Sequence, residues 1–431
     1  MKKEELCLFA KRVSLAFFVS VIMIFYSCQN SDENIIDSPD DEPVVISEDL
    51  RGFTAAELGE IKNQLEASGI DMSHIDIEGE LNSTRTINEL LLRVIKVTTK
   101  SPHPADPTRQ IDLSGVLLVP RFALTELQLV VAPVPTFTTN GDAPSNVFQH
   151  ASPILNDSLS YLYFWLLQAY EGFAVLLPDY PGFGDSYQQC FIPYVVQEPM
   201  VRAAIDITKA SQLVLAANGY RYNRELIVTG YSQGAFVATS LTRELETNPS
   251  HNLPVKLLVS GGTPANLKYI ADVVRHSDEL ATPYLMPYAV CGFHSNGYPD
   301  IVISNILTEP SASDAYTYFD GMHSDLGDAF PSHVSELFTQ NFIDNLDSAP
   351  ELASTKNALL ENSIQPWVNR CKMVMVHGAQ DVTVYYQNAK DFADHQNAIG
   401  GNVTFSTVLG NHTTSIIQYY LEASANLLLY K

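Results

Sequence analysis

Three polar residues far apart in the chain have the types and the order that nucleophilic catalysis needs. The first is Ser232, in the pentapeptide Gly230-Tyr231-Ser232-Gln233-Gly234, which joins an apolar run at 226–229 to a helix-compatible segment at 235–245. A strand, a sharp turn and a helix are the context in which Gly-x-Ser-x-Gly exposes a serine at the carboxyl edge of a sheet. The pattern therefore predicts that Ser232 is a nucleophile.

A serine hydroxyl needs a base within hydrogen-bond reach, and that base needs a carboxylate to hold its tautomer. Asp381 follows a strand-like run at 372–376, and His412 follows the next such run at 403–409. Both side chains would then lie in loops at the carboxyl ends of strands, in the order serine, acid, histidine. The sequence predicts a triad of Ser232, Asp381 and His412.

Other histidines and carboxylates fit this chemistry less well. His377 precedes Asp381 at a strand end, where a His-Gly pair more often shapes the loop. Asp179 follows a buried strand and is interpreted as a loop organiser that accepts hydrogen bonds from backbone amides. The remaining candidates lie in a long polar segment where exposure is the ordinary state of such side chains: His294, His323, Asp300, Asp314 and Asp320.

An acyl-transfer intermediate also needs backbone N–H donors for its oxyanion. The first donor is expected from Gln233, the residue after the nucleophile, and the second from the segment 133–138 after the third strand. The prolines at 133 and 135 have no N–H to donate. Thr136 or Phe137 is therefore predicted as the second donor.

The elements that must position these residues alternate between strands and helices. Strands are expected at 91–100, 113–120, 127–134, 173–177, 226–229, 255–260, 372–376 and 403–409, and helices at 53–67, 156–170, 200–217, 235–245 and 415–429. This alternation predicts an α/β fold with a mostly parallel eight-stranded sheet and helices on both faces. Residues 265–366 interrupt the rhythm between the sixth and seventh strands, and this insertion is predicted to be a lid over the carboxyl ends of the strands.

The first 47 residues are expected to lie outside the folded domain, which is placed at 48–431. An apolar run at 13–26 is too short for a comfortable membrane span and is typical of a signal peptide, here residues 1–27. Phe25-Tyr26-Ser27-Cys28 resembles a bacterial lipobox, which implies that Cys28 is lipidated and that Gln29 favours the outer membrane. Residues 28–47, acidic and polar, are predicted to be a disordered tether in the cell envelope.

Composition excludes several function classes. The chain of 431 residues has 25 Lys and Arg against 49 Asp and Glu, a formal net charge of −24, so nucleic-acid binding is not expected. No cysteine has metal-ligand spacing, so a metal site is not expected either. Besides Cys7 in the signal peptide and Cys28, the chain contains Cys190, Cys291 and Cys371, of which two could pair in an oxidising compartment.

Over residues 90–431 the chain resembles an α/β-hydrolase, and more narrowly the secreted lipases of the lipase-A type. Three segments carry the resemblance: Asp179-Tyr180-Pro181-Gly182-Phe183-Gly184 followed by the serine pentapeptide, Gly261-Gly262-Thr263-Pro264-Ala265-Asn266-Leu267, and the insertion itself, which is a helical lid in that family. The resemblance implies hydrolysis of carboxylic esters, acylglycerols included, without a cofactor, by a triad on Ser232, Asp381 and His412. The chain departs from the family after the third strand, where Val134-Pro135-Thr136 replaces a His-Gly-Thr-like segment.

The expected activity is therefore ester hydrolysis through an acyl-enzyme, with small-molecule or lipid esters as substrates. The same triad could serve an esterase acting on acylated polysaccharide, or a serine peptidase. Outside enzymes, the chain could be a binding protein on a hydrolase scaffold, since a fold does not determine a substrate. The oligomeric state is not indicated by the sequence.

Overall fold

The computed structural model describes residues 34–36, 44–77, 89–123, 125–150, 160–324 and 326–430. The signal peptide predicted for residues 1–27 and the lipidation site predicted at Cys28 lie outside these ranges. Among the helices that the ranges contain, none has the length and apolar character needed to cross a membrane.

Ten strands form a single sheet in the order β1-β2-β3-β4-β6-β5-β7-β8-β9-β10. Their bounds are β1 Asn34–Ile36, β2 Val45–Thr54, β3 Leu90–Pro102, β4 Gln110–Pro120, β5 Leu127–Val131, β6 Phe173–Pro178, β7 Tyr222–Tyr231, β8 Val255–Gly261, β9 Lys372–Gly378 and β10 Val403–Val408. The six strands from β6 to β10 along this order are mutually parallel, whereas β1 to β4 pair antiparallel and join the rest through β4 and β6. The predicted α/β class and mostly parallel sheet are confirmed.

The N-terminal part of the sheet differs from the prediction in two ways. The sheet has ten strands, because β1 and β2 add to the eight expected. The disordered tether predicted for 28–47 is wrong at Asn34–Ile36, which pairs with β2, and at Val45, where β2 begins. Short apolar runs within the acidic segment supply both strands, and pairing satisfies backbone groups that would otherwise remain at the open edge of β3. The folded part therefore begins before residue 48.

Helices cover the sheet on both sides. They are α1 Ala55–Ala67, α2 Pro144–His150, α3 Ser160–Tyr170, α4 Gln197–Ala217, α5 Gln233–Thr247, α6 Leu267–Arg275, α7 Leu285–Ser295, α8 Ser311–Tyr318, α9 Val334–Leu337, α10 Gln340–Asn345, α11 Ala353–Glu361, α12 Tyr386–Ala398 and α13 Ser415–Leu428. Every residue of β6, and every residue of β7 from Leu226 to Tyr231, is buried. Because alternate side chains of a strand point to opposite faces, such continuous burial requires cover on both faces.

The insertion lies where it was expected, between β8 and β9, and contains the helices α6 to α11. It has an aromatic core of its own, in which Phe319 stacks on both Tyr288 and Phe330. Tyr288 also stacks on Tyr194, with the ring centroids 4.3 Å apart. Since Tyr194 lies before α4, this contact joins the insertion to the body of the domain.

The three cysteines of the folded part lie in different regions. Cys190 is in the loop before α4, Cys291 is in α7, and Cys371 directly precedes β9. All three are free thiols, so the pairing that the sequence allowed is not formed between them.

Candidate active site

Ser232 occupies the sharp turn between β7 and α5, which is called the elbow below. Its backbone has φ 57° and ψ −121°, a region that residues with a Cβ rarely adopt. A Cβ added at Gly230 would lie 2.2 Å from the carbonyl oxygen of Gly234, and one added at Gly234 would lie 2.2 Å from that of Pro133. Both positions of the motif therefore require glycine, because the start of α5 touches β7 on one side and the loop after β5 on the other.

The structure brings the three predicted residues together. His412 Nε2 lies 2.8 Å from Ser232 Oγ, and His412 Nδ1 lies 2.7 Å from Asp381 Oδ2. Asp381 is in the turn after β9 and His412 in the loop after β10, both at the carboxyl edge of the sheet. The geometry is that of a nucleophile, a base and a carboxylate that orients the base.

Asp381 is held from both of its oxygens. Oδ1 accepts hydrogen bonds from the backbone amides of Thr383 and Val384, each at 2.9 Å. Burial by itself would raise the pKa of Asp381. Its contacts with His377 and His412, together with the hydrogen bonds from the backbone amides, instead lower the pKa well below its ordinary value. The carboxylate is therefore ionised and available to His412.

His377 contacts the acid and not the nucleophile. Its Nε2 lies 3.2 Å from Asp381 Oδ2, and its side chain is 1% exposed. Among the described residues, neither ring nitrogen has a partner that meets hydrogen-bond geometry, so the short distance to Oδ2 is the best contact that this imidazole has. Sequence reasoning assigned His377 only a role in shaping the loop.

Tyr231, the residue before the nucleophile, was missed by sequence reasoning. Its hydroxyl donates to the backbone carbonyl of His412 and lies 2.9 Å from Ser415 Oγ. Burial raises the pKa of Tyr231, so the hydroxyl stays a neutral donor. It thus ties the loop that carries His412 to the strand that carries Ser232. A tyrosine inside the serine motif was the only available signal of this role.

The two candidates for the second oxyanion donor lie in different surroundings. Thr136 Oγ1 lies 3.2 Å from the hydroxyl of Tyr194, whereas the ring of Phe137 is buried against Tyr180 and Phe183. The part of this loop that approaches the elbow most closely is residues 133–134, whose carbonyl oxygens would meet a Cβ on Gly234. Val134 carries an N–H in this part of the loop, and it was not among the donors expected from the sequence.

A mainly apolar pocket of about 790 Å³, partly open to solvent, lies beside Ser232 and Gln233. Its walls come from the insertion and from the segments around Val195 and Tyr385, and the lining includes Ile270, Val274, Leu285, Met286, Ala289, Phe293, Val382 and Val384. Val195 and Tyr385 both have φ 50°, like Ser232 in the left-handed region. Strained backbone of this kind is concentrated at functional sites.

The weaker candidates lie away from this chemistry. Asp179 is buried and accepts hydrogen bonds from the Ser114 hydroxyl and the Ser145 amide, which agrees with the organising role predicted for it. His294 lies 2.6 Å from the hydroxyl of Tyr316. The other candidates, His323, Asp300, Asp314 and Asp320, are exposed. Within the described ranges, no cluster of His, Cys, Asp and Glu could hold a metal ion.

Comparison with known proteins indicates the family and the fold of the chain. The model of a family described as secretory lipase matches residues 158–425, more than half of the chain. Among solved structures, a rice cell wall degrading esterase, LipA, of Xanthomonas oryzae is similar, with a TM-score of 0.70 and 19% identity, over 90% of this chain and 96% of that one. Lipase A of Candida antarctica in its closed state is similar with a TM-score of 0.57 and 16% identity, over 76% of this chain and 78% of that one. Identities this low indicate a shared α/β-hydrolase fold only. No curated protein sequence matches the chain.

Proposed function

Because the chain belongs to the secretory lipase family, we propose that this hydrolase is a serine carboxylic-ester hydrolase whose nucleophile is Ser232. The observation that carries the proposal is the unbroken contact from Ser232 Oγ through the imidazole of His412 to Asp381, with distances of 2.8 and 2.7 Å. A neutral serine in water is a weak nucleophile, and this contact supplies the base that it lacks.

The reaction proceeds in two halves. His412 Nε2 takes the Ser232 proton as Oγ attacks the ester carbonyl, and Asp381 stabilises the imidazolium that forms. His412 then protonates the leaving alcohol, which leaves an acyl group on Ser232. Water attacks this acyl-enzyme with His412 again as the base, and the acid is released with Ser232 restored.

The oxyanion of each tetrahedral intermediate is held by backbone amides. The amide of Gln233 lies at the N-terminus of α5, where N–H groups have no partner within the helix. A second N–H comes from the loop after β5, in which Thr136 is the donor expected from the sequence and Val134 lies nearer to the elbow. Each such donor typically contributes about 3 kcal/mol to transition-state stabilisation.

The pocket supports an acyl chain as the group that is recognised. Its lining is mainly aliphatic where α6 and α7 of the insertion face the nucleophile, and burying methylene groups there is favourable by about 0.8 kcal/mol each. In this proposal the insertion acts as a lid that covers the chain. Ala289→Trp, which fills the pocket from α7, should lower kcat/KM for a long-chain p-nitrophenyl ester far more than for p-nitrophenyl acetate.

An esterase acting on acylated polysaccharide is the second candidate. Such an activity needs only a short acyl group in the pocket, with the carbohydrate outside it. The Xanthomonas oryzae enzyme with the same fold is described as degrading rice cell walls. A series of p-nitrophenyl esters of increasing chain length, assayed beside acetylated xylan, separates the two candidates, because a lipase prefers longer chains and does not deacetylate xylan.

The membership of this family suggests an extracellular or envelope protein, and we propose that lipidated Cys28 tethers it to the outer membrane. The tether would keep the enzyme at a lipid surface without a spanning helix. Mass spectrometry of the N-terminal peptide should show a diacylglyceryl cysteine, and Cys28→Ala should release the protein from the membrane fraction.

The proposal is tested by Ser232→Ala beside Ser240→Ala, a control in helix α5, which follows Ser232. The first variant should lose at least about 10⁴-fold in kcat, since a triad without its nucleophile retains little activity, and should not react with a fluorophosphonate probe. The control should remain active and be labelled. Full ester turnover by Ser232→Ala would overturn the proposal.

A further inference from the structure

The carboxylate of Asp381 is surrounded by more possible donors than a triad requires. Two backbone amides occupy Oδ1. Two imidazoles approach Oδ2, that of His412 at 2.7 Å and that of His377 at 3.2 Å. A carboxylate has about four lone-pair positions for hydrogen bonds, so Asp381 has room for His377 beside the two amides and His412.

The burial of His377 explains why its imidazole would donate to this oxygen. The imidazole is 1% exposed, and buried polar groups are almost always hydrogen-bonded. Over the part of the chain that the structure describes, neither of its nitrogens has a hydrogen bond of good geometry, and Nε2 has a close polar contact with Asp381 Oδ2 at 3.2 Å. The remaining contact of the ring is edge-on against Tyr386, with the centroids 6.0 Å apart. The packing therefore leaves Oδ2 of Asp381 as the acceptor for the Nε2 proton.

The backbone under His377 is more firmly held than the turn under Asp381. His377 lies within β9 and pairs with Thr407 of β10. Gly378 follows it at a point where a Cβ would lie 2.5 Å from the carbonyl oxygen of Gly410, so β9 passes directly beside the loop that carries His412. Asp381, in contrast, lies in the turn that follows. This turn is closed by a hydrogen bond from the backbone amide of Asp381 to the carbonyl of Gly378.

We propose that His377 is a positioning residue of the triad, and this inference rests on the proposed function. Its Nε2–H donates to Oδ2 of Asp381 from β9. The carboxylate, whose Oδ1 is held by the two backbone amides, is then prevented from rotating. The oxygen is then fixed in front of His412 Nδ1, and the imidazole of His412 keeps Nε2 directed at Ser232. In effect the rigid strand β9, and not the turn alone, sets the direction of the base.

The test compares His377→Leu, which removes the donor, with His377→Gln, whose amide nitrogen reaches about as far as Nε2. The assay is hydrolysis of p-nitrophenyl butyrate at one pH, with kcat and KM measured separately. For the leucine variant we expect kcat to fall by about 100-fold with KM nearly unchanged, the cost of misplacing a catalytic group by about 1 Å. The glutamine variant should recover most of the lost kcat.

Urea unfolding of each variant separates a folding defect from a positioning defect. If His377→Leu does not fold, His377→Asn replaces it, because its amide is one bond too short to reach Oδ2. Equal kcat in the glutamine variant and its donor-less counterpart would overturn the inference while Ser232→Ala remained inactive. An active Ser232→Ala would instead overturn the proposed function itself.

Discussion

The conformation of Ser232 leads to a prediction about stability that does not depend on activity. The residue has φ 57° and ψ −121°. A residue with a Cβ in such a region destabilises the folded state by about 1–3 kcal/mol. Ser232→Ala and Ser232→Gly both lose the hydroxyl and its contact with His412. They differ only in the Cβ, so a comparison of the two variants measures the strain that the Cβ causes.

The magnitude follows from two opposing effects. Removing the Cβ at Ser232 relieves about 1–3 kcal/mol of strain, while glycine adds about 0.5–1 kcal/mol of unfolded-state entropy. Ser232→Gly should therefore be more stable than Ser232→Ala by about 1 kcal/mol. Ser240 is the matched control, since it is buried in the regular part of α5. There glycine should be less stable than alanine by about 1 kcal/mol, the ordinary difference in helix propensity.

The assay is the free energy of unfolding of the four variants in urea, at one pH and one protein concentration. The expected result is a reversal of sign between the two positions, with a combined difference of about 2 kcal/mol. If Ser232→Gly is instead less stable than Ser232→Ala by the amount found at Ser240, then the elbow holds no strain and the reasoning is refuted.

Further predictions concern the elbow, the acid and the thiols. Gly234→Ala should lower kcat/KM by about 100-fold, because its Cβ would lie 2.2 Å from the Pro133 carbonyl oxygen. Gly141→Ala, where the nearest atom is 3.7 Å away, should leave kcat/KM unchanged, and equal losses would contradict the steric explanation. Asp381→Asn should lower kcat by about 10⁴-fold, and a loss below tenfold would show that His412 does not need the carboxylate. Because the pKa of Asp381 is lowered by folding, its ionised form stabilises the protein above about pH 4, and this stabilisation is lost as the pH falls further. The stability difference between wild type and Asp381→Asn in urea should therefore shrink from about pH 5 to about pH 2, and a constant difference would contradict this linkage. Burial raises the pKa of the Cys190 thiol to about 12, so the native protein should react slowly with a disulfide reagent at about pH 8, whereas the unfolded domain should react at all three of its cysteines.

The main elements and the order of the candidate triad could be predicted from the sequence, for local reasons. Buried parallel strands are continuous apolar runs, as in β5 and β6, and helices between them show their own period. The serine motif is recognisable because a Cβ at either of its two glycines would clash with the backbone around this single turn. The expected strands at 372–376 and 403–409 then placed Asp381 and His412 in loops at the same edge.

The first strands of the sheet escaped prediction because their formation depends on a partner. β1 has three residues and lies in an acidic, polar segment, so composition averaged over 28–47 indicated disorder. The pairing of β2 with β3 supplies the hydrogen bonds and the buried surface that this segment lacks alone. Such stabilisation comes from long-range contacts, which local composition does not report.

The sequence by itself determined the reaction type that we propose, since the residue types and their order allow a serine nucleophile, a histidine base and a carboxylate. The tertiary structure alone decided what surrounds them. It placed His377 beside the same oxygen of Asp381 that His412 contacts, directed the Tyr231 hydroxyl to the backbone of His412, and set the apolar face of the insertion beside Ser232. These contacts join elements that are distant in the chain, and their distances depend on how the strands and helices pack, which no local pattern of residues encodes.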